Sequence, residues 1–376
     1  MNILNTKPHI LLCLEKWYFG KPEFGVSNLA SNISSSLELS DLADFDTFYF
    51  DEYYAVNGAP GDEAFLNLCH RLIPDLIVIL WGLAHEDVCN PNISTLCKLK
   101  TEMKIPLGVI LSDTVHLSLM KKAETILPFV DFFISLDSYI SFKISRKPEK
   151  YIPLWSPIDS KIFFNPERER DIAISFVGSL KNSGYRDRAV FLDQIKCHGI
   201  DVYHAGGLYK NDGILSERLS ISEYAEVFKR SKISLNFCKR AGISQLKGRV
   251  FEAMFCGAML LEEENFETAR LFEPFVDYVP FRNTNDLIEK IEYYLKYEDE
   301  REKIARNGSQ KAYERYSGTA FWKRILEIAA KKKNVQPSLR SRGVKSNLCR
   351  HFLWRASIEG EYFARRMLAK LRKWFY

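Results

Sequence analysis

No stretch of this 376-residue chain is apolar enough to cross a bilayer. The longest apolar runs, residues 76–84 and 253–261, are nine residues each, where a spanning helix needs ~20. Residues 1–14 offer one lysine and a short apolar run, without the longer hydrophobic segment and small-residue cleavage site of a signal peptide. A cytoplasmic protein is expected. The eight cysteines form no C-x-x-C pair and the seven histidines no H-E-x-x-H, so neither a zinc site nor a dithiol redox motif is written here. The phosphate-binding G-x-x-x-x-G-K-[ST] and the dinucleotide-binding G-x-G-x-x-G are missing too. These absences remove the commonest metalloprotease, ATPase and dehydrogenase readings, and no metal or cofactor is expected.

The rest of the composition is that of a globular protein, 46% hydrophobic and 27% charged, and the length suits two domains. Its charge is divided unevenly. Residues 331–376 hold 13 Lys and Arg against Glu359 and Glu361, a net of +11, while the preceding 330 residues carry −6. After a linker over 331–346, Phe363, Met367, Leu371 and Phe375 recur every fourth residue, with Arg365, Arg366, Arg372 and Lys373 mostly on other faces. A basic amphipathic helix of this kind suits an anionic membrane surface, so residues 346–376 are expected to hold the protein on the inner face of the membrane. The alternative is that it packs on the body or on a second subunit. No nucleic-acid recognition motif accompanies the charge, and no nucleic-acid partner is expected.

The remaining pattern is α/β. Short apolar runs at 9–14, 45–50, 76–80, 107–111 and 132–136 predict one buried parallel sheet. Runs at 172–177, 201–204, 233–237, 259–261 and 278–280 predict a second. Helical patterns lie between them at 27–39, 188–197, 221–229, 249–256, 284–297 and 299–316. A linker over 151–159, stiffened by Pro153 and Pro157, separates two Rossmann-like domains, 1–150 and 151–330, followed by the tail 331–376. In such sheets ligands bind beyond the carboxyl ends of the strands, so the site is expected in the cleft where the two sets of ends face each other.

The most informative stretch runs from 231 to 266. A strand ends in a polar loop, and a helix then opens with Lys247 and Arg249 at its start. Cations there oppose the helix dipole, whereas an anion such as phosphate would be favoured by the dipole, the backbone amides and both cations together. Glu252, one turn in, is placed to accept from vicinal hydroxyls such as those of a ribose; the alternative is an ordinary ion pair on a solvated helix. Gly178 and Ser179 follow the strand 172–177, where glycine lets amides approach a phosphate, or where a plain βα turn would suffice. His204, Gly206 and Gly207 follow the next strand in the same manner. In the first domain the strand 107–111 delivers Asp113 and His116, a candidate general base with an orienting carboxylate, or a structural pair. Residues 81–86 are a weaker second candidate, and residues 16–25 form an aromatic, glycine-containing loop.

Arg249-Val-Phe-Glu252-Ala-Met-Phe-Cys-Gly257, followed by an apolar strand and an acidic loop, resembles the carboxyl-terminal domain of GT-B glycosyltransferases, more narrowly the glycosyl transferases group 1 and spore-maturation-type relatives. Residues 175–179, 152–163 and 301–308 agree, so the resemblance covers 151–326 and the first half only in outline. It implies a retaining enzyme that moves a sugar from a nucleotide-diphosphate donor to a cell-surface glycan or lipid-linked acceptor, with the loop 16–25 resembling the first loop that touches acceptor or diphosphate in this fold, or else serving as a surface loop. No bound metal need be invoked, because Lys247, Arg249 and the helix dipole can neutralise the leaving diphosphate. The ribose would lie on Glu252 and the diphosphate against Lys247 and Arg249, while Arg186 or Arg188 would stand in for the arginine that relatives carry where this chain has Ser179. Retaining relatives often carry a second glutamate at the position of Ser244. Those two serines favour the alternative of a non-catalytic scaffold; a nucleotide-sugar epimerase on the same fold is a third reading.

Overall fold

The computed structural model describes residues 7–81, 89–137, 145–180, 186–206, 208–209, 215–216, 219–240 and 243–333. The basic tail expected to meet a membrane, residues 82–86 and Gly207 lie outside the described residues, as does the Arg186 side chain. No helix among the described residues is long and apolar enough to cross a membrane.

Two parallel sheets organise the chain. The first contains β1 (His9–Leu14), β2 (Asp44–Tyr49), β3 (Leu76–Trp81), β4 (Leu107–Leu111), β5 (Phe132–Ser135) and β6 (Tyr151–Pro153) in the order β2-β1-β3-β4-β5-β6. The second sheet takes β7 (Ile172–Val177), β8 (Tyr203–Ala205), β11 (Ser231–Asn236), β14 (Met259–Glu263) and β15 (Val279–Phe281), ordered β15-β14-β11-β7-β8. Two small hairpins, β9 (Leu208–Tyr209) with β10 (Leu215–Ser216) and β12 (Lys239–Arg240) with β13 (Ile243–Ser244), project from its loops. The central strands β3 and β4 are buried throughout, as their unbroken apolar runs require when helices cover both faces, and β11 is buried at all but Lys232 although Ser231, Ser234 and Asn236 interrupt its apolar residues.

Two features depart from the expected division of the chain. Tyr151–Pro153, read as linker, is the sixth strand of the first sheet, paired with β5 and fixed by Tyr151 stacked on Phe133 at 4.6 Å and 9°. Proline is tolerated there because β6 is an edge strand. The last helix, Gly318–Lys333, crosses back to the first domain, where Phe321, Trp322, Ile325 and Ile328 join the core formed by Ile33, Leu37, Leu76 and Val78. Trp322 is fully buried and its indole N–H donates to Ser36 Oγ at 2.9 Å. Gly318 is needed at this crossing, because a Cβ would lie 2.6 Å from the Ser36 Cβ. Lys331 to Lys333, expected in the linker, complete this helix.

Candidate active site

The helix Gly248–Phe255 organises the site. Some helices here carry a side-chain cap, as Ser27 does over Asn28–Ser40, Ser220 in a capping box with Glu223 over Ile221–Arg230 and Asn283 over Thr284–Lys296, while others, such as Leu117–Ile126, carry none. Gly248–Phe255 begins at Lys247 with no side-chain cap and no acid in its first turn, which leaves its amides and dipole for an anion. Its other end is anchored by Arg170, whose guanidinium donates to the Cys256 carbonyl at 2.7 Å and to the carbonyls of Phe228, Lys229 and Ser231 that close the preceding helix. One arginine thus holds the carboxyl ends of two helices, where the dipole welcomes a cation.

Glu252 lies one turn in from that helix start and is 8% exposed. Its Oε2 accepts from the Tyr224 hydroxyl, and burial pushes the carboxyl up to about 7 against the lowering effects of Tyr224 and Arg249. Burial and the neighbouring Glu252 push the Tyr224 phenol well above its usual value, with a smaller contribution from Tyr18.

Arg249 crosses to the end of β7, where its guanidinium donates to the Val177 carbonyl and lies 5.5 Å from the Phe176 ring. Gly178 makes room for it: a Cβ at 178 would fall 2.0 Å from Arg249 Nη1. At the end of β8, a Cβ on Gly206 would meet the Gly178 backbone at 2.6–2.9 Å. The two glycines bring the strand ends into direct backbone apposition under the arginine. His204 stacks on Phe176 and its Nε2 meets the Gly178 carbonyl at 2.9 Å, so Nε2 carries the ring proton. Ser179 Oγ is shielded and has no hydrogen-bond partner among the described residues. Arg188, by contrast, is almost fully buried and donates to the Ser179 and Phe237 carbonyls at 3.3 and 3.1 Å, holding the loops after β7 and β11.

Across the cleft, Asp113 and His116 share one turn beyond β4, where the His116 amide donates to the Asp113 carbonyl at 3.0 Å. Asp113 adopts φ 59, a left-handed conformation that aspartate tolerates better than most residues. Its carboxylate accepts from Gln245 Nε2 at 2.7 Å, and the same nitrogen donates to Asp137 at 2.6 Å. Gln245, Asp137 and Tyr224 escaped the sequence reading. Asp137 alone carried a signal, because it follows an apolar strand just as Asp113 does. Burial, then Asp113, raises the Asp137 carboxyl to about 7. Beneath the cleft, Glu262 on β14 is fully buried, accepts from Asn236 Nδ2 at 2.8 Å and is raised by burial to about 8. The chain's one D-x-D triplet, Asp44-Phe45-Asp46, begins edge strand β2, where Asp46 meets His9, at the amino ends of the parallel strands and so away from the carboxyl ends that face the cleft.

So the uncapped helix, the glycine pair and Glu252 form one wall, and the turns after β4 and β5 form the other. Residues 186–327 match the family described as glycosyl transferase-like. The fold is that of the GT-B glycosyltransferases. HepE of Anabaena, in complex with UDP-glucose, superposes with a TM-score of 0.55 at 13% identity, over 86% of this chain and 100% of that one. An α-glucosyltransferase in complex with UDP-glucose and DNA containing an abasic site gives 0.60 at 11% over 86% and 100%. A glycosyltransferase from Rickettsia africae gives 0.57 at 11% over 88% and 100%. No curated protein matches in sequence. The GT-B fold spans both domains, and the glycosyl transferase-like match lies in the second.

Proposed function

We propose that the chain transfers a sugar from a nucleoside-diphosphate donor to a glycan or lipid-linked acceptor made for the cell surface, with retention and without a bound metal. The observation that carries this reading is the buried Glu252 carboxylate one turn inside an uncapped, cation-flanked helix. A ribose on Glu252 would direct its phosphates toward the helix start, where Lys247, Arg249 and the amides can take the charge of the departing diphosphate. The UDP-glucose bound by two structural neighbours favours a uridine donor. In transfer, the bond from the anomeric carbon to the diphosphate breaks, a bond to an acceptor oxygen forms, and the hydroxyl proton must leave; His116 is the candidate to receive it. The basic segment 346–376 would hold the enzyme where lipid-linked acceptors lie, as its charge suggests.

Titration of UDP into the full-length protein and into Glu252→Ala and Lys247→Ala tests the donor site. Charged hydrogen bonds of this kind are worth ~1.5–3 kcal/mol, so each variant should bind about ten- to a hundredfold more weakly. Unchanged affinity in both variants would remove the site.

A further inference from the structure

We infer that Gln245 is a positioning residue that sets Lys247 against the donor through the carboxylates of the opposite domain, so that the cation is locked only when the two domains are together. The inference rests on the donor-site reading above. Gln245 is 1% exposed, and both ends of its amide are committed. Oε1 accepts from Lys247 Nζ, and Nε2 donates to Asp113 Oδ1 and Asp137 Oδ2. Only this orientation of the amide is chemically admissible, since the flipped one would face its oxygen to two carboxylates and its NH2 to an ammonium. The backbone is fixed as well: the Leu246 amide donates to the Asp137 carbonyl at 2.5 Å, and Asn265 Nδ2 donates to the Gln245 carbonyl at 3.2 Å. Thr114 orients Asp137 from behind at 2.8 Å.

Lysine is a mobile point charge on a flexible stem. Here it rests on an amide whose two hydrogens are gripped by the other domain. Separation of the domains would release both hydrogens and, with them, the fixed acceptor of Lys247. Nucleotide binding draws on the second domain and needs no such grip, whereas transfer needs the cation held in the closed state, since a misplacement of about 1 Å can cost on the order of 100-fold in rate.

The test combines UDP titration with steady-state sugar transfer on the full-length protein, Gln245→Ala and the isosteric Gln245→Glu, which keeps an acceptor for Lys247 but loses both donors. Transfer kcat should fall tenfold or more in both variants while the UDP Kd changes less than threefold. In the Lys247→Ala background, Gln245→Ala should lower kcat by no more than a further factor of two. A kcat within threefold of the parent in folded variants, a UDP affinity that falls as far as kcat, or losses that multiply with Lys247→Ala would each overturn the inference. A parent that neither binds UDP nor transfers would instead overturn the donor site, and the inference with it.

Discussion

At the scale of single residues, the site's chemistry depends on where carboxyl groups are buried. Burial lifts the Glu252 carboxyl to about 7, although the hydroxyl of Tyr224 donates to it and favours the ionised form. Ribose hydroxyls donate, so they bind the ionised form; below about pH 7 the free protein must give up a proton to bind, and affinity falls toward tenfold per pH unit. UDP-glucose, whose phosphates do not titrate near neutrality, isolates this effect. Its affinity for the parent should weaken between pH 7.5 and 5.5, and Glu252→Gln should be weaker at pH 7.5 and nearly flat with pH. A parent equally flat would mean that Glu252 is not the ribose acceptor. The motif around Glu252 was legible because a helix start flanked by cations is an electrostatic anomaly visible in the sequence itself. Gln245 was not, since a lone glutamine in a polar loop becomes informative only once two carboxylates from more than a hundred residues away face it.

At the scale of elements, β1, β4 and β7 have the bounds that their apolar runs predicted, because a strand buried on both faces leaves an uninterrupted apolar signal. The edges were harder to read. β6 is three residues long with a proline, and its assignment comes from pairing with β5 and from the Phe133–Tyr151 stack. The helix Gly318–Lys333 shows an apolar face in the sequence, but amphipathicity does not say which domain that face will cover. Trp322, fully buried against the first-domain core, makes the consequence measurable. Trp322→Ala should cost about 3–5 kcal/mol, read as a lowered midpoint in denaturant unfolding. A change under ~1 kcal/mol would show that this helix is not part of the first domain's core.

At the scale of the whole molecule, the two sheets present their carboxyl ends to one another, and the last helix returns to the first domain after the second is complete. The chain therefore passes between the domains twice, at residues 154–171 and again near Ser317, while Gln245 links the facing walls. In the proposed reaction the donor groups would come from the second domain and Asp113 and His116 from the first, so the chemistry would require both. The central claim is that this cleft breaks a sugar–diphosphate bond in favour of an acceptor. The direct measurement is release of nucleoside diphosphate by the full-length protein from a panel of nucleotide sugars, with and without a chelator and a glycan or lipid-linked acceptor fraction. The account predicts acceptor-stimulated release of UDP that survives chelation and falls about ten- to a hundredfold in Glu252→Ala. Absence of release from every donor, or conversion of the donor to an isomeric sugar without any acceptor, would contradict it.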